Sequence, residues 1–268
     1  MAVWNASTGI YADATNQTGR YIIFNGTVKD TLTEILWEQT ASTATMNWTS
    51  GFNYCGNRTT GGFNDWRVPN IVELGTSVDY TAGSPYVNTT AFPGAPTSNM
   101  WASTPNAAYA GNSSWQVVFS SYGYYGYNGA NLAFTVRCVR SCYPIPPPSR
   151  YTVNSGEVTD NVTGLIWQQV STGGTYNQAN AFTLCSGLPL NGRAWRLPTG
   201  RELATLVDYS INYGTLTMNA AFAGEPADYF WSSSRLAGDQ TRAWFVLFSS
   251  GQLSYNSVIA PQYVRCVR

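Results

Sequence analysis

The sequence predicts an α+β protein made of two tandem domains, on three observations. The same signposts recur in the same order along both halves of the chain. Within each half, two helix-type patterns precede several short strand-type runs. Each half also carries one pair of cysteines at equivalent points. Val28-Lys29-Asp30 with Leu36-Trp37-Glu38-Gln39 returns as Val158-Thr159-Asp160 with Ile166-Trp167-Gln168-Gln169. Cys55 returns as Cys185, Trp66-Arg67-Val68-Pro69 as Trp195-Arg196-Leu197-Pro198, and Val78-Asp79-Tyr80 as Val207-Asp208-Tyr209. Trp101 becomes Trp231, and Val136-Arg137-Cys138-Val139-Arg140 becomes Val264-Arg265-Cys266-Val267-Arg268. That period is too long for a solenoid repeat and fits a whole small domain. The chain divides into an N-terminal extension over 1–19, a first domain over 20–140, a linker over 141–149 and a second domain over 150–268.

Each domain is expected to start with strand, turn, strand. In the second, Glu157-Val158-Thr159-Asp160 and Leu165-Ile166-Trp167-Gln168-Gln169 flank the turn formers Asn161-Val162-Thr163-Gly164, where Gly164 can take a positive φ. The first domain has Glu34 at that position, so its turn is expected to differ. Helices follow around Thr175 to Ser186 and Thr45 to Gly56, each with a cysteine near its end. A second helix begins at a capping box in each domain: Thr199 with Glu202, and Asn70 with Glu73. These helices are expected to end near Asp208-Tyr209 and Asp79-Tyr80. Loops and short strands come next, among them Ala243-Trp244-Phe245-Val246-Leu247-Phe248-Ser249, whose apolar residues point both ways as in a strand buried on two faces. Eight tryptophans pair between the halves (Trp37/Trp167, Trp66/Trp195, Trp101/Trp231, Trp115/Trp244) and read as core, whereas Trp4 and Trp48 have no counterpart and read as exposed.

Composition narrows the function. Charged residues make up only 10% of the chain, aromatics 15%, and the formal net charge is zero. Such a chain offers no basic field to steer nucleic acid or acidic membranes toward it. No apolar run is long enough to cross a bilayer, and Met1-Ala2-Val3-Trp4 does not read as a signal peptide. Cys55 with Cys138 and Cys185 with Cys266 read as one disulfide per domain, which places the protein outside the cell or on its surface. Metal binding is the rival reading, but neither half holds four soft ligands and the chain has no His. Closing loops of this length stabilises a domain by roughly 4 kcal/mol in the chain-entropy treatment. Cys142 is left over in the linker Ser141-Cys142-Tyr143-Pro144-Ile145-Pro146-Pro147-Pro148, either as an intermolecular tether or as an incidental thiol. The proline run spaces the two domains.

The order V-x-D, (L/I)W(E/Q)Q, C, WR(V/L)P, EL, VDY, W(A/S)S and V-R-C-V-R resembles the DUF1566 group, also called the Legionella collagen-like protein C-terminal domain. The resemblance covers nearly all of both halves. It implies a C-type-lectin-like fold with two helices and a small, twisted, mainly antiparallel sheet per domain, related to the formylglycine-generating enzyme fold. It also implies the same cysteine pairing. Known members of these groups include surface adhesins and variable ligand-binding proteins.

Without His, a Ser-His-Asp or Cys-His site is impossible. Formylglycine-generating enzymes need a reactive cysteine pair, and each domain offers only the two expected to be joined. The shared carboxylates Asp30/Asp160, Glu73/Glu202 and Asp79/Asp208, with Arg67/Arg196, Arg137/Arg265 and Arg140/Arg268, read as ion pairs and caps. No cofactor is expected. Calcium has plentiful oxygen ligands but no specific motif: Glu225-Pro226-Ala227-Asp228 is a weak echo of a lectin loop, and Asn64-Asp65-Trp66 has the wrong order.

The sharpest difference between the halves is Ser120-Ser121-Tyr122-Gly123-Tyr124-Tyr125-Gly126-Tyr127-Asn128 against Ser249-Ser250-Gly251-Gln252-Leu253-Ser254-Tyr255-Asn256. Tyr, Ser, Gly and Asn are also paratope residues, since Tyr gives a large contact area at low entropic cost. The candidate ligand-binding residues are therefore Tyr122, Tyr124, Tyr125, Tyr127, Asn128, Tyr255 and Asn256. A flexible glycine-rich loop with scattered tyrosines is the plainer reading. Trp4 and Cys142 are candidate intermolecular contacts, the extension being able to add a strand to a neighbour. The leading expectation is a non-enzymatic, secreted or surface-displayed adhesion protein that recognises a protein or glycan. The alternatives are a structural subunit of an extracellular filament and, last, an enzyme related to formylglycine generation.

Overall fold

A computed structural model describes residues 19–109, 111–140, 150–211, 214–222 and 224–268. The chain forms two compact units, which share one plan. In the first, β1 (Tyr21–Phe24), β2 (Thr27–Asp30) and β3 (Leu36–Glu38) lead to α1 (Trp48–Gly56) and α2 (Ile71–Thr76). Then come β4 (Asn99–Pro105), β5 (Ser113–Val118), β6 (Tyr124–Gly129) and the closing β7 (Val139–Arg140). The second unit repeats this as β8 (Tyr151–Asn154), β9 (Glu157–Asp160), β10 (Ile166–Gln168), α3 (Gln178–Ser186), α4 (Gly200–Ala204), β11 (Tyr229–Leu236), β12 (Asp239–Leu247) and β13 (Gln252–Ser257). Each unit holds two small sheets rather than the expected one. They are ordered β1-β2-β3-β7 and β4-β5-β6 in the first, β8-β9-β10 and β11-β12-β13 in the second. Every pairing between named strands is antiparallel.

Local chemistry explains the starts and stops. Asn47 and Asn177 cap α1 and α3 through their side-chain oxygens, so both helices begin a little later than the apolar pattern implies. Both capping boxes form. Their helices stop at Thr76 and Ala204, short of the expected Asp79 and Asp208. The Thr76 and Thr205 hydroxyls bond back to the carbonyls of Glu73 and Glu202, and the Thr76 and Thr205 carbonyls accept from Arg20 and Arg150. Asp79 and Asp208 instead cap the following turns, accepting from the amides of Thr81 and Ser210.

The disulfides are Cys55–Cys138 and Cys185–Cys266. Each joins the first helix of its unit to the returning C-terminal segment. Around the first lie Trp66, Val68, Trp101 and Val136; around the second lie Trp195, Leu197, Trp231 and Val264. All eight paired tryptophans are buried.

Trp48 and the turn after β2 also depart from expectation. Trp48 is half-buried against the first core, and its Nε1 donates to the carbonyl of Ala102 at 2.8 Å. Its counterpart is Gln178, whose Nε2 makes the same bond to the Ser232 carbonyl at 2.7 Å. The turn after β2 does not differ between the units. Glu34 adopts φ 58° where Gly164 has φ 74°, and their amides bond to Asp30 and Asp160 at 2.8 and 2.7 Å. The turn is held by Asp30 and its pairing with Arg20, repeated as Asp160 with Arg150, so Glu34 is forced into the left-handed region. Its 2.7 Å pair with Lys29 is half-exposed and offsets little of that cost.

Glu34→Gly is therefore expected to stabilise the first domain by about 0.5–1 kcal/mol, and Gly164→Glu to destabilise the second by at least as much. Guanidinium unfolding of the full chain with disulfides intact measures both. Replacing Cys55 and Cys138 together by Ala should cost the first domain about 4 kcal/mol. Calorimetry should show the first domain's transition displaced downward while the second domain's transition stays in place.

Candidate functional site

The segment that differs most between the units folds as a strand, not as the expected loop. β6 is the outer strand of its sheet and pairs with β5 in the register Trp115↔Tyr127, Val117↔Tyr125 and Ser113↔Gly129. Strand alternation then sends Tyr125 and Tyr127 to one face and Tyr124, Gly126 and Asn128 to the other. Gly123, at φ 73°, makes the entry turn, and a Cβ there would lie 2.3 Å from Val78. Only glycine fits that approach. Gly251 repeats it against Val207 in the second unit.

The predicted residues fall into distinct environments. Tyr125 is 3% exposed and packs over α2, where a Cβ on Gly75 would stand 1.7 Å from the Tyr125 hydroxyl. The second unit exchanges this pair for Ala204 and Leu253, both buried. Tyr125 is thus a core residue, contrary to its expected place in a ligand surface. Tyr122, Tyr124, Tyr127 and Asn128 are half-exposed. Tyr127 stacks on Tyr109 at 6.4 Å and meets Trp115 edge-on at 5.5 Å. Tyr122, at φ 59°, packs against Tyr86 at 5.1 Å. In the second unit Tyr255 is half-exposed and Asn256 exposed, with Tyr255 against Trp244 at 5.7 Å and beneath Arg242 at 5.6 Å. The two units therefore present different edges. Trp4 and Cys142 lie outside the described residues.

Two residues complete the surface of the first unit without having been singled out from sequence. Tyr109 is 53% exposed and sits on a 3-10 turn over Ala107–Tyr109. Asn106 holds that turn, its side chain accepting from Ala108 and its carbonyl from Tyr109. The second unit extends both strands and joins them through Ala237-Gly238 alone, so it lacks the turn that carries Tyr109 and has no tyrosine at the matching position. Tyr86 is matched by the buried Thr217. A signal was present in the sequence: residues 80–136 contain no Asp, Glu, Lys or Arg. The corresponding stretch of the second unit carries Glu225, Asp228, Arg235, Asp239 and Arg242. The tyrosine edge is thus electrically neutral over a continuous run of chain, suited to aromatic packing and neutral hydrogen bonds.

The charges that the units share serve the scaffold. Arg67 grips Glu73 at 2.7 and 2.6 Å and Arg196 grips Glu202 at the same two distances, each carboxylate also capping its helix. Hydrogen bonding to Glu202 raises the Arg196 pKa. Arg268 holds the Glu157 carboxyl below its ordinary pKa through a 2.9 Å pair. Glu225, the residue behind the lectin-loop echo, is buried in an ion pair with Arg265 and faces no open surface. Among the described residues, no group of three or more His, Cys, Asp or Glu is placed to hold a metal. A cleft of about 420 Å³ is lined by Arg20, Tyr21, Ile23, Asp79, Asn88 and Thr90, among others, but by none of the β6 tyrosines. No helix among the described residues is long and apolar enough to cross a membrane.

No curated protein gives a significant match to the chain. The family model of the Lcl C-terminal domain matches twice, over residues 26–140 and 156–268. The two matches cover most of both units, in step with the disulfides and the repeated turns. The chain belongs to the Lcl C-terminal domain family, as two copies in tandem.

Proposed function

We propose that this is a non-enzymatic binding protein, acting outside the cell or displayed on its surface. Its first domain holds a protein or glycan ligand against the edge formed by Tyr109, Tyr122, Tyr124, Tyr127 and Asn128. The observation that carries this reading is the contrast between two copies of one scaffold. Among the described residues, only the first gathers several half-exposed tyrosines at an outer strand in a stretch without charged residues, with Tyr122 in a one-residue insertion and Tyr109 on the longer connection between β4 and β5. Tyr255 and Asn256 give the second domain a smaller edge of the same kind. Two disulfides suit an oxidising compartment.

Binding of the full chain to a glycan array and to whole cells tests this. Tyr109→Ser with Tyr127→Ser should lower retention at least roughly tenfold, the loss of about 1.4 kcal/mol, while both domains still unfold cooperatively well above the assay temperature. Retention of the unaltered protein should change less than about twofold between low and high salt, because no charge pair is screened. A steep salt dependence, or unchanged retention by the variant, would count against the reading.

A second reading, a subunit of an extracellular filament, has one observation in its favour. β1 is the outer strand of its sheet and exposes Ile22, Ile23 and Phe24, whereas β8 has Thr152, Val153 and Asn154 at those positions. An exposed apolar edge strand is a template for another strand. Electron microscopy and non-reducing size analysis of native material decide it. Fibres or covalent multimers are expected if it holds, and persistent monomers would remove it.

A further inference from the structure

Asparagines followed two residues later by a hydroxyl are unevenly shared between the two halves of the chain. Seven of the fourteen asparagines in residues 1–140 begin an Asn-x-Ser/Thr triplet, against one of the eight in residues 150–268, although Ser and Thr are nearly as frequent in both stretches. On a secreted chain that triplet is the acceptor for N-linked sugar: the transferring enzyme binds the hydroxyl while the asparagine amide reacts. Composition does not account for the imbalance, and the two copies of the scaffold separate the triplets that the fold explains from those it does not.

The triplets at Asn5 and Asn16 lie outside the described residues. Three others have hydroxyls that the interior uses or encloses. Thr27, after Asn25, is buried with its hydroxyl donating to the Phe24 carbonyl at 2.6 Å. Ser114, after Asn112, is fully buried on β5. Thr163, after Asn161, is buried with its Oγ1 accepting from the Leu165 amide at 3.3 Å. Asn88 of a further triplet is half-buried in the wall of the cleft.

The remaining two triplets flank α1. Asn47 caps its start and Asn57 its end, and Asn47, Thr49, Asn57 and Thr59 are all exposed. The second unit keeps the cap: Asn177 accepts from the Asn180 amide at 2.9 Å as Asn47 does from the Ser50 amide at 2.8 Å. It nevertheless has Ala179 in place of Thr49. At the other end Gly187 and Pro189 stand for Asn57 and Thr59. Thr59 makes no side-chain bond to the 3-10 turn it precedes. Helix and turn therefore form without either hydroxyl, and neither is a demand of the scaffold. The Asn47 cap uses the side-chain oxygen, so it survives substitution on the nitrogen.

We infer that Asn47 and Asn57 of the first domain carry N-linked sugar. The donor is an oligosaccharide held on a polyisoprenyl diphosphate. Asparagine Nδ2 bonds to C1 of the sugar as the bond from C1 to the phosphate oxygen breaks. The electron pair leaves with the diphosphate, and the Nδ2 proton passes to a base of the transferase. Transfer of this kind takes place outside the cytosol, in a compartment that the two disulfides suit. Sugar at these positions supplies hydration that charge does not, since neither α1 nor residues 80–136 hold a charged side chain.

The test is the mass of peptides from the full chain isolated from its natural source with both disulfides formed. Sugar is expected on the peptides that contain Asn47 and Asn57. Expressed in the same source, Thr49→Ala, the residue that the second domain already carries, should abolish the sugar on Asn47, and Thr49→Ser should retain it. Thr59→Ala should abolish the sugar on Asn57 alone. Absence of sugar from either asparagine of the unaltered protein would overturn the inference, as would sugar that persists in Thr49→Ala or Thr59→Ala.

Discussion

The return of the chain's last segment to its beginning is the constraint on which each domain depends. In the first, Arg67 and Val139 exchange backbone hydrogen bonds at 2.9 and 2.8 Å, Glu38 donates to the Cys138 carbonyl at 2.9 Å, and Cys138 is covalently joined to α1. The second domain repeats this with Arg196, Val267, Gln168 and Cys266. Once that closure is made, the connection between the helices and the closing segment is a clamped loop, free to carry the β4-β5-β6 sheet and its insertions. The disulfide acts mainly on the unfolded chain, by removing the freedom of a long loop. Scarce charges do the rest locally, each Arg–carboxylate pair closing a turn or capping a helix.

Duplication makes the energetics of substitution visible within one molecule. The bond from Trp48 to Ala102 and that from Gln178 to Ser232 show two unlike side chains meeting one requirement, a donor aimed at a strand carbonyl. Gly75 with Tyr125 against Ala204 with Leu253 shows a volume exchanged across an interface, as close packing demands. Glu34 against Gly164 shows the opposite case: the backbone is imposed by its surroundings whether or not the residue prefers it. Differences of the first two kinds are compensated and say nothing about function.

The tyrosine edge of the first domain is a difference without compensation. Tyr122 occupies a one-residue insertion and Tyr109 a turn that the second domain replaces with strand, and the charge-free run over 80–136 leaves that edge without charged side chains. Rigid aromatic side chains on an outer strand give contact area at little entropic cost, which is what a neutral recognition surface requires.

Much of the architecture was legible in the sequence by itself. The duplication located both domains, the matched cysteines located the covalent clamps, and the Asn70/Glu73 and Thr199/Glu202 patterns located two helix starts, because each is a local or strictly repeated signal. The candidate site was legible only in part. Composition drew attention to Tyr122, Tyr124, Tyr125 and Tyr127, but not to which of them face outward. Period-two alternation acts only once a strand is paired, and the segment reads as a loop until β5 lies beside it. The partners Tyr86 and Tyr109 come from distant positions that only folding brings to β6. The left-handed Glu34 and the half-buried Trp48 were likewise decided by tertiary contacts, since long-range hydrogen bonds outweigh the roughly 1 kcal/mol of local preference that a sequence displays.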